Sequence, residues 1–167
     1  MPITSIADVT EDALHLRDLL DAVLTKVEDT FTSYNVPMPT RRYWTLGTPS
    51  IDCEQIVVSF VQMYLGPPGD QASQPMRCNV PKSAVMTVSV AREIPVVGTN
   101  GRAPTADKIQ AGSEISAVDA WVLMDTVQLF DRWDDSGYGP GVIATLDAGT
   151  PEGGFQVVTL QLTMAIP

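Results

Sequence analysis

Catalytic and metal-binding side chains are scarce in this chain, whose 167 residues include one histidine, His15, and two cysteines, Cys53 and Cys78. A serine or cysteine nucleophile needs an adjacent base. His15 falls on a predicted helix beside Arg17 and Asp18, a position typical of a surface side chain. Tetrahedral zinc requires three or four nitrogen, sulfur or oxygen ligands at characteristic spacings, and these residues do not show such spacings. The sequence therefore predicts no enzyme, no metal and no cofactor.

Long apolar runs are also missing, because no stretch reaches the roughly 18 residues that a membrane-spanning helix needs. The first residues, MPITSIADVTEDAL, lack the basic start and apolar centre of a signal peptide. We therefore expect a protein that is made and folded in a cytosol. Two interpretations of Cys53 and Cys78 stay open, reduced thiols and a disulfide, and a cytosol favours the thiols.

Positive charge is the third scarcity, since ten Lys and Arg stand against twenty Asp and Glu, which gives a net charge of −10. A protein that wraps duplex DNA neutralises phosphates with basic side chains, so this balance argues against that function. The acids concentrate in residues 1–30 and 107–152, whereas residues 31–106 are mildly basic. This distribution predicts acidic outer faces on the helices and a mildly basic sheet region.

Hydrophobic periodicity predicts two helices and five strands. Apolar residues recur at steps of three and four over residues 8–31 and about 104–132, as in amphipathic helices. Trp121 falls on the apolar side of the second helix, so we expect it in the core. The predicted strands are 41–47, 54–66, 83–98, 141–149 and 155–166, of which the last two form a hairpin.

Strand 54–66 is apolar on both of its alternating faces, which is typical of a central strand that is covered on both sides. The complete order is α-β-β-β-α-β-β, with helices and strands segregated along the chain. We therefore predict a single α+β domain over residues 1–167, in which two long helices pack on a mostly antiparallel sheet of about five strands.

The stretch DRWDDSGYGPGV, residues 131–142, combines acids and glycines in the manner of a ligand loop. A calcium-binding hand loop needs oxygen ligands at positions 1, 3 and 5 and glycine at position 6, but counting from Asp131 places Trp133 third and Ser136 sixth. Its position after a helix excludes a dinucleotide-binding fingerprint. We interpret the stretch as a turn on which Trp133 and Tyr138 are candidates for contact with a neighbouring subunit.

Basic and aromatic residues stand together in RRYW, residues 41–44, and further bases follow in the sequence. Such a group can stack on single-stranded nucleic acid or form a protein interface, where Arg, Trp and Tyr are enriched. We favour the interface. The candidate contact residues of the whole chain are Arg41, Arg42, Trp44, Phe60, Arg77, Lys82, Arg102, Trp133 and Tyr138.

Four stretches resemble the tail terminator (tail completion) proteins of long-tailed, non-contractile phages, above all those that infect actinobacteria. They are CEQIVVSFVQMYLG at 53–66, RCNVPKSAVMTVSVAREIPVV at 77–97, ADKIQAGSEISAVDAWVLMDTV at 106–127 and GFQVVTLQLTMAI at 154–166. The resemblance covers about residues 10–166. It rests on the order of the elements and on local features such as the Asp119-Ala120-Trp121 step.

The resemblance implies a structural virion protein that assembles as a homo-hexameric ring. Such a ring caps the tail tube, stops polymerisation of the major tail tube protein and joins the tail to the head-completion, or stopper, protein. Genome DNA passes through the lumen without specific binding, and an acidic lumen suits that passage. The implied location is the head-proximal end of the virion tail, reached after assembly in the host cytoplasm and without a membrane.

Two other functions stay open, another head-tail connector or stopper ring and a non-viral binding module that pairs through its sheet edge. In a six-fold ring, one patch of a subunit meets a different patch of the next. We expect a sheet edge of one subunit to meet the 37–50 or 66–82 region of its neighbour. Loops 66–82 and 98–104 are candidates for contacts along the ring axis or between neighbours. On this hypothesis, Trp44→Ala or Phe60→Asp impairs ring assembly.

Overall fold

The computed structural model describes residues 11–69, 82–97, 101–130, 142–151 and 153–166. The described residues form two helices and five strands in the predicted order. These are α1 (Glu11–Ser33), β1 (Arg41–Leu46), β2 (Gln55–Leu65), β3 (Lys82–Glu93), α2 (Ala106–Phe130), β4 (Val142–Ala148) and β5 (Phe155–Ile166). The α+β prediction is therefore confirmed.

The strands form one sheet in the order β1-β2-β3-β5-β4, so that β1 and β4 are its two edges. Three of the four strand pairs are antiparallel, as predicted, while β1 runs parallel to β2 with Arg41 opposite Gln55 and Leu46 opposite Phe60. Both helices pack on one face of the sheet, α1 over β1 and β2, and α2 over β3, β5 and β4. We call this the helix side and the opposite face the open side.

The core lies between the helices and the alternate residues of the three inner strands that point to the helix side. The buried strand residues are Ile56, Val58, Ala84, Met86, Val88, Val90, Val158, Leu160, Leu162 and Met164. The helices complete the core with residues from their inward-facing sides, namely Leu19, Leu20, Val23, Val27, Phe31, Val122 and Leu123. Each buried Val, Leu, Ile, Met or Phe side chain of this core stabilises the fold by about 1.5–3 kcal/mol relative to its exposed state.

Helix α1 ends in a Schellman motif that turns the chain towards β1. Asn35 takes the left-handed conformation, with φ 53°, in which asparagine is tolerated better than most residues. The amide of Val36 donates to the Phe31 oxygen at 3.0 Å, and the amide of Asn35 donates to the Thr32 oxygen at 3.0 Å. Pro37 follows and cannot continue a helix. The helix therefore ends at the proline-rich stretch, where the sequence predicts it.

Strand β2 is covered on both sides over only half of its length. Residues 55–59 are buried on both faces, by the helices on one side and by the 47–54 connection on the open side, where Gln55 Nε2 donates to the Ser50 oxygen at 2.8 Å. Beyond Phe60 the register shifts by one residue, as at a β-bulge, and Val61, Met63 and Leu65 are exposed. The predicted two-sided cover is confirmed for the first half and wrong for the second.

Candidate assembly surfaces

The predicted contact residues of β1 are held by partners within the chain. Arg41 Nη1 donates to Asp52, and its guanidinium carbon lies 5.2 Å from the centroid of the Tyr43 ring. On the helix side, Arg42 Nε lies 3.3 Å from Glu28 Oε1. Exposed ion pairs of this kind contribute only about 0–1 kcal/mol. A partner's carboxylates would therefore compete for both arginines at little cost to the fold.

Trp44 and Phe60 contribute to the packing of the monomer. Trp44 Nε1 donates to Asp21 Oδ1 of α1 at 2.6 Å, and both aromatic rings pack, partly buried, against the core. Trp44→Ala and Phe60→Asp would therefore disturb folding as well as any contact between subunits. Variants at more exposed positions separate the two effects.

Of the remaining candidates, the structure describes Lys82 and Arg102, and both lie on elements other than β1. Lys82 begins β3 and pairs with Leu65, beyond the stretch of β2 that pairs with β1, and Arg102 lies in the exposed segment before α2. Arg77, Trp133 and Tyr138 lie outside the described residues, as do 70–81 and 98–100 of the two predicted contact loops. The structure therefore describes β1 as a local basic and aromatic edge.

An exposed apolar row on α2 is the largest feature that the sequence interpretation missed. We call Ile115, Val118, Trp121 and Met124 the α2 ridge, and their exposed fractions are 52%, 46%, 70% and 42%. The prediction that Trp121 lies in the core is wrong. Residues three apart form an oblique row across a helix, so this row continues past the buried face and onto the outer face.

Within the part of the chain that the structure describes, no helix combines the length and apolar character needed to cross a membrane.

A groove runs beside the α2 ridge, between α2 and the edge strand β4. It has a volume of about 560 Å³, and most of its lining is apolar, namely Ala117, Ala120, Trp121, Met124, Val127 and Leu146, with Asp125 and Gln128 as polar members. The ridge and the groove together make one continuous apolar outer surface on the helix side. Soluble monomers seldom expose such surfaces without a function in binding.

A second cavity, which we call the sheet-side cavity, lies on the open side of the sheet, beneath the connection from β1 to β2. It has a volume of about 420 Å³, and it is lined by Gly47, Thr48, Pro49, Ile51, Ser59, Val61, Thr87, Ser89 and Val157. None of these residues is ionisable. The hydroxyl of Ser59 is buried and, within the described residues, has no hydrogen-bond partner. The cavity is therefore uncharged and lined by a mixture of apolar and hydroxyl-bearing side chains, and the Ser59 hydroxyl is shielded from solvent.

A buried ion pair fastens α2 to the sheet. Arg92 of β3 donates from Nε to Asp119 Oδ2 at 2.8 Å and from Nη2 to Asp119 Oδ1 at 2.9 Å, and Nη2 also donates to the Pro37 oxygen at 2.7 Å. Burial disfavours the charged guanidinium, but the hydrogen bonds and charge of Asp119 outweigh it, and the pKa of Arg92 is raised. The pair joins α2, β3 and the segment after α1 at one point.

The end of α1 is tied to α2 by a second contact, in which the Tyr34 hydroxyl donates to Asp125 Oδ2 at 2.8 Å. This hydrogen bond raises the pKa of the Tyr34 phenol above its usual value of 10.0, because ionisation would remove the donor and place two negative charges together. The contact therefore favours the protonated phenol in the folded state.

We expect the Tyr34 phenol to ionise above pH 10.0 in the folded protein. Because the folded-state pKa is raised, the stabilisation from this contact is present below pH 10.0 and is lost as the pH rises through the folded-state pKa. The difference between the ultraviolet phenolate titrations of the parent and of Tyr34→Phe isolates this group. Asp125→Asn serves as the control, and its titration should shift towards lower pH; an unchanged midpoint would contradict the assignment.

The described residues contain no group of three or more His, Cys, Asp or Glu that is placed to hold a metal ion. Their distinctive features are instead the α2 ridge, the sheet-side cavity and the basic edge of β1. No protein-family model matches the chain, and no curated protein matches it in sequence.

Proposed function

We propose that this protein is a ring-forming structural subunit and that its ring is the tail terminator of a long-tailed phage. The observation that carries the ring is the α2 ridge. A tryptophan side chain contributes about 150–250 Å² of surface, so the exposed 70% of Trp121 leaves on the order of 100–175 Å² of aromatic surface in water. Ile115, Val118 and Met124 enlarge this patch along the same helix.

A ring needs two different surfaces on each subunit, because each copy meets the next head to tail. The α2 ridge lies on the helix side, whereas the sheet-side cavity lies on the open side and the arginines of β1 lie on a sheet edge. These surfaces differ in chemistry as well as in place. A contact between unlike surfaces repeats from copy to copy, and it closes into a ring if the rotation between copies allows.

The phage assignment comes from the sequence resemblance. On this proposal, the ring caps a tube of major tail protein, stops its growth, and contacts the head-completion protein at the other end. DNA passes through the lumen. The subunit is acidic, with a net charge of −10, and this charge opposes adhesion of the nucleic acid to the lumen wall. Another head-tail connector ring would use the same kind of subunit contact.

A binding module that pairs through its sheet edge is the second candidate, and the exposed edge strand β1 favours it. Strand addition at one edge produces a dimer, because it uses the same edge twice or a single partner strand. The two candidates therefore differ in the number of copies that assemble.

Native mass spectrometry and negative-stain microscopy of the purified full chain test the proposal. We expect a six-fold ring at micromolar concentration. A dimer would favour the edge-pairing module, and a monomer at every concentration and ionic strength would contradict the ring. Co-expression with a phage major tail tube protein tests the finer role, since a terminator should bind one end of each tube and limit its length.

A further inference from the structure

We propose that the edge strand β4 of one copy pairs antiparallel with the edge strand β1 of the next copy, so that one sheet continues around the ring. The inference rests on the proposed ring function and names the two surfaces that meet. Within the described residues, β1 and β4 each have only one neighbouring strand. The outer backbone amides and carbonyls of such an edge are free to pair with a further strand.

The strand directions within one copy determine how the two edges meet. β2 runs parallel to β1, and the three other strand pairs of the sheet are antiparallel, so β4 runs opposite to β1. A rotation about a ring axis that lies along the strands gives the next copy's β1 the same direction as the first. The two edges therefore meet antiparallel, which is the slightly more stable arrangement per residue.

The alternation of side chains limits the register, because residues that stand opposite each other in one sheet point to the same face. On β1, Arg42 points to the helix side, where it meets Glu28 of α1, so its neighbour Arg41 points to the open side. On β4, Leu146 packs against the core, so its neighbour Asp147 points to the open side. Arg41 and Asp147 can therefore stand opposite each other.

One register brings these opposite charges together and also pairs the whole of β1. With Arg41 opposite Asp147, Leu46 stands opposite Val142, and all 6 residues of β1 have a partner on β4. Leu46 is 65% exposed in the monomer and gains an apolar neighbour. A shift of two residues keeps the faces matched, but it places Arg41 opposite Thr145 or beyond the end of β4. The charge pair selects one register.

Both charges of this pair are accessible in the monomer. Asp147 is exposed, and within the described residues its carboxylate has no ion-pair or hydrogen-bond partner. Arg41 contacts Asp52, but both side chains are largely exposed, and exposed ion pairs are readily exchanged. Opposite charges that face each other across two strands favour pairing, and like charges oppose it. The charges therefore favour β4 as the partner of β1.

The same contact covers the groove between α2 and β4. In a continuous sheet the helices of the next copy lie on the same side, and its α1 lies over its own β1 and β2. That helix therefore arrives beside α2, where the apolar groove of about 560 Å³ is open in the monomer. In the chosen register Arg42 stands opposite Leu146, and both Leu146 and Asp125 line the groove. Opposite charges are thus present on both faces of the contact.

The dimensions of a continuous sheet suit a ring that DNA passes through. Six five-stranded sheets at the usual strand spacing of about 4.8 Å form a closed sheet roughly 45 Å across, and any tilt of the strands widens it. The helices lie outside, where the larger circumference accommodates them. The open side of the sheet then lines a lumen that admits a DNA duplex.

Reversal of each charge tests the pairing. Arg41→Glu and Asp147→Arg each place like charges across the contact, and we expect either to weaken the association of neighbouring copies at least about tenfold. The matched control is Glu93→Arg, which makes the same change in charge as Asp147→Arg at an exposed position of the central strand β3. It should assemble as the parent does. Circular dichroism and thermal unfolding establish that each variant is folded.

A mixture of the two single variants should form rings again. The unchanged Asp147 of one variant meets the unchanged Arg41 of the other, and the two replaced side chains also meet with opposite charges. A chain that carries both substitutions should likewise assemble by itself. Recovery in the mixture cannot arise from repair of the fold, because each copy keeps its own substitution.

Hydrogen exchange of the backbone amides tests the strand pairing without any substitution. Amides of residues 41–46 and 142–148 should exchange more slowly in the parent ring than in the parent diluted below its assembly concentration, because pairing protects the outer amides of both edges. A contact through side chains alone would leave these amides unprotected.

Three results would overturn the inference while leaving the ring proposal intact. They are a parent ring accompanied by rings of both single variants, a mixture of the folded variants that forms no rings, and a parent ring in which either edge strand exchanges as fast as in the monomer. A parent that forms no oligomer would instead overturn the ring proposal itself.

Discussion

Asp119→Ala is expected to lower the free energy of unfolding by about 3–5 kcal/mol, the usual cost of breaking a buried ion pair by removing one partner. Asp119 is 0% exposed and Arg92 8%, so the guanidinium would lose both charge-assisted hydrogen bonds in a place that water does not readily reach. Urea unfolding followed by far-ultraviolet circular dichroism measures the change. The loss should appear in the midpoint with little change in slope.

A paired replacement separates the cost of the orphaned charge from the net contribution of the ion pair. Arg92→Met combined with Asp119→Leu removes both charges and keeps apolar volume, and such exchanges are often neutral or stabilising. We expect the double variant to recover most of the stability lost in Asp119→Ala. A loss below about 1 kcal/mol in Asp119→Ala would instead show that the site is solvated, since exposed ion pairs contribute no more than that.

The charge of Arg92 does not make this contribution sensitive to pH in the ordinary range. Its folded-state pKa is raised above the already high value of a free guanidinium, so the stabilisation is present at lower pH and is lost only as the pH rises through the raised pKa. The Arg92 guanidinium thus remains a cation across the range in which rings would be prepared. Effects of moderate pH on assembly must arise from other groups.

Periodicity predicted the elements of this fold well because it reports on local burial. The 3.6-residue pattern located both helices, and the alternation of Val158, Leu160, Leu162 and Met164 located the inward face of β5. Pairing across the sheet is a long-range property that no local pattern encodes. The parallel placement of β1 beside β2, and the route of residues 47–54 over the open side, were therefore not predicted.

The candidate surfaces were predicted less well because exposure depends on what the rest of the chain covers. RRYW was placed correctly on a strand, but the position of that strand at a sheet edge was not predicted, and the partners of its side chains, such as Asp21 for Trp44, lie on distant segments. For Trp121, an apolar residue three positions after Val118 suggested the core. One feature of the sequence indicated an exposed apolar surface on α2. Its apolar residues point in more directions around the helix than one buried face requires.

Asp119 and Trp121 show how a single helix serves the core and an exterior surface. Residues two positions apart in a helix point in directions about 200° apart around its axis. Asp119 therefore points inward to Arg92, while Trp121 points outward. The inward ion pair fixes the rotation and position of α2 on the sheet. It thereby holds the α2 ridge in one orientation relative to the sheet.

Truncation on the two faces of α2 should therefore give opposite results. Leu123 is fully buried, and Leu123→Ala should destabilise the fold by about 2–5 kcal/mol through lost burial and the cavity left behind. Trp121→Ala should leave the stability of the monomer within about 0.5 kcal/mol of the parent, because alanine is the better helix former and the indole is mostly in water.

The comparison must be made by urea unfolding below the concentration at which copies associate, because association itself adds stability to the folded state. Above that concentration, Trp121→Ala should become less stable than the parent, and the gap should widen as protein is added. If Trp121→Ala lost 2 kcal/mol or more in the dilute monomer, comparable to the low end of core truncation, Trp121 would belong to the fold. A gap that depends on concentration instead assigns its energy to contact between copies.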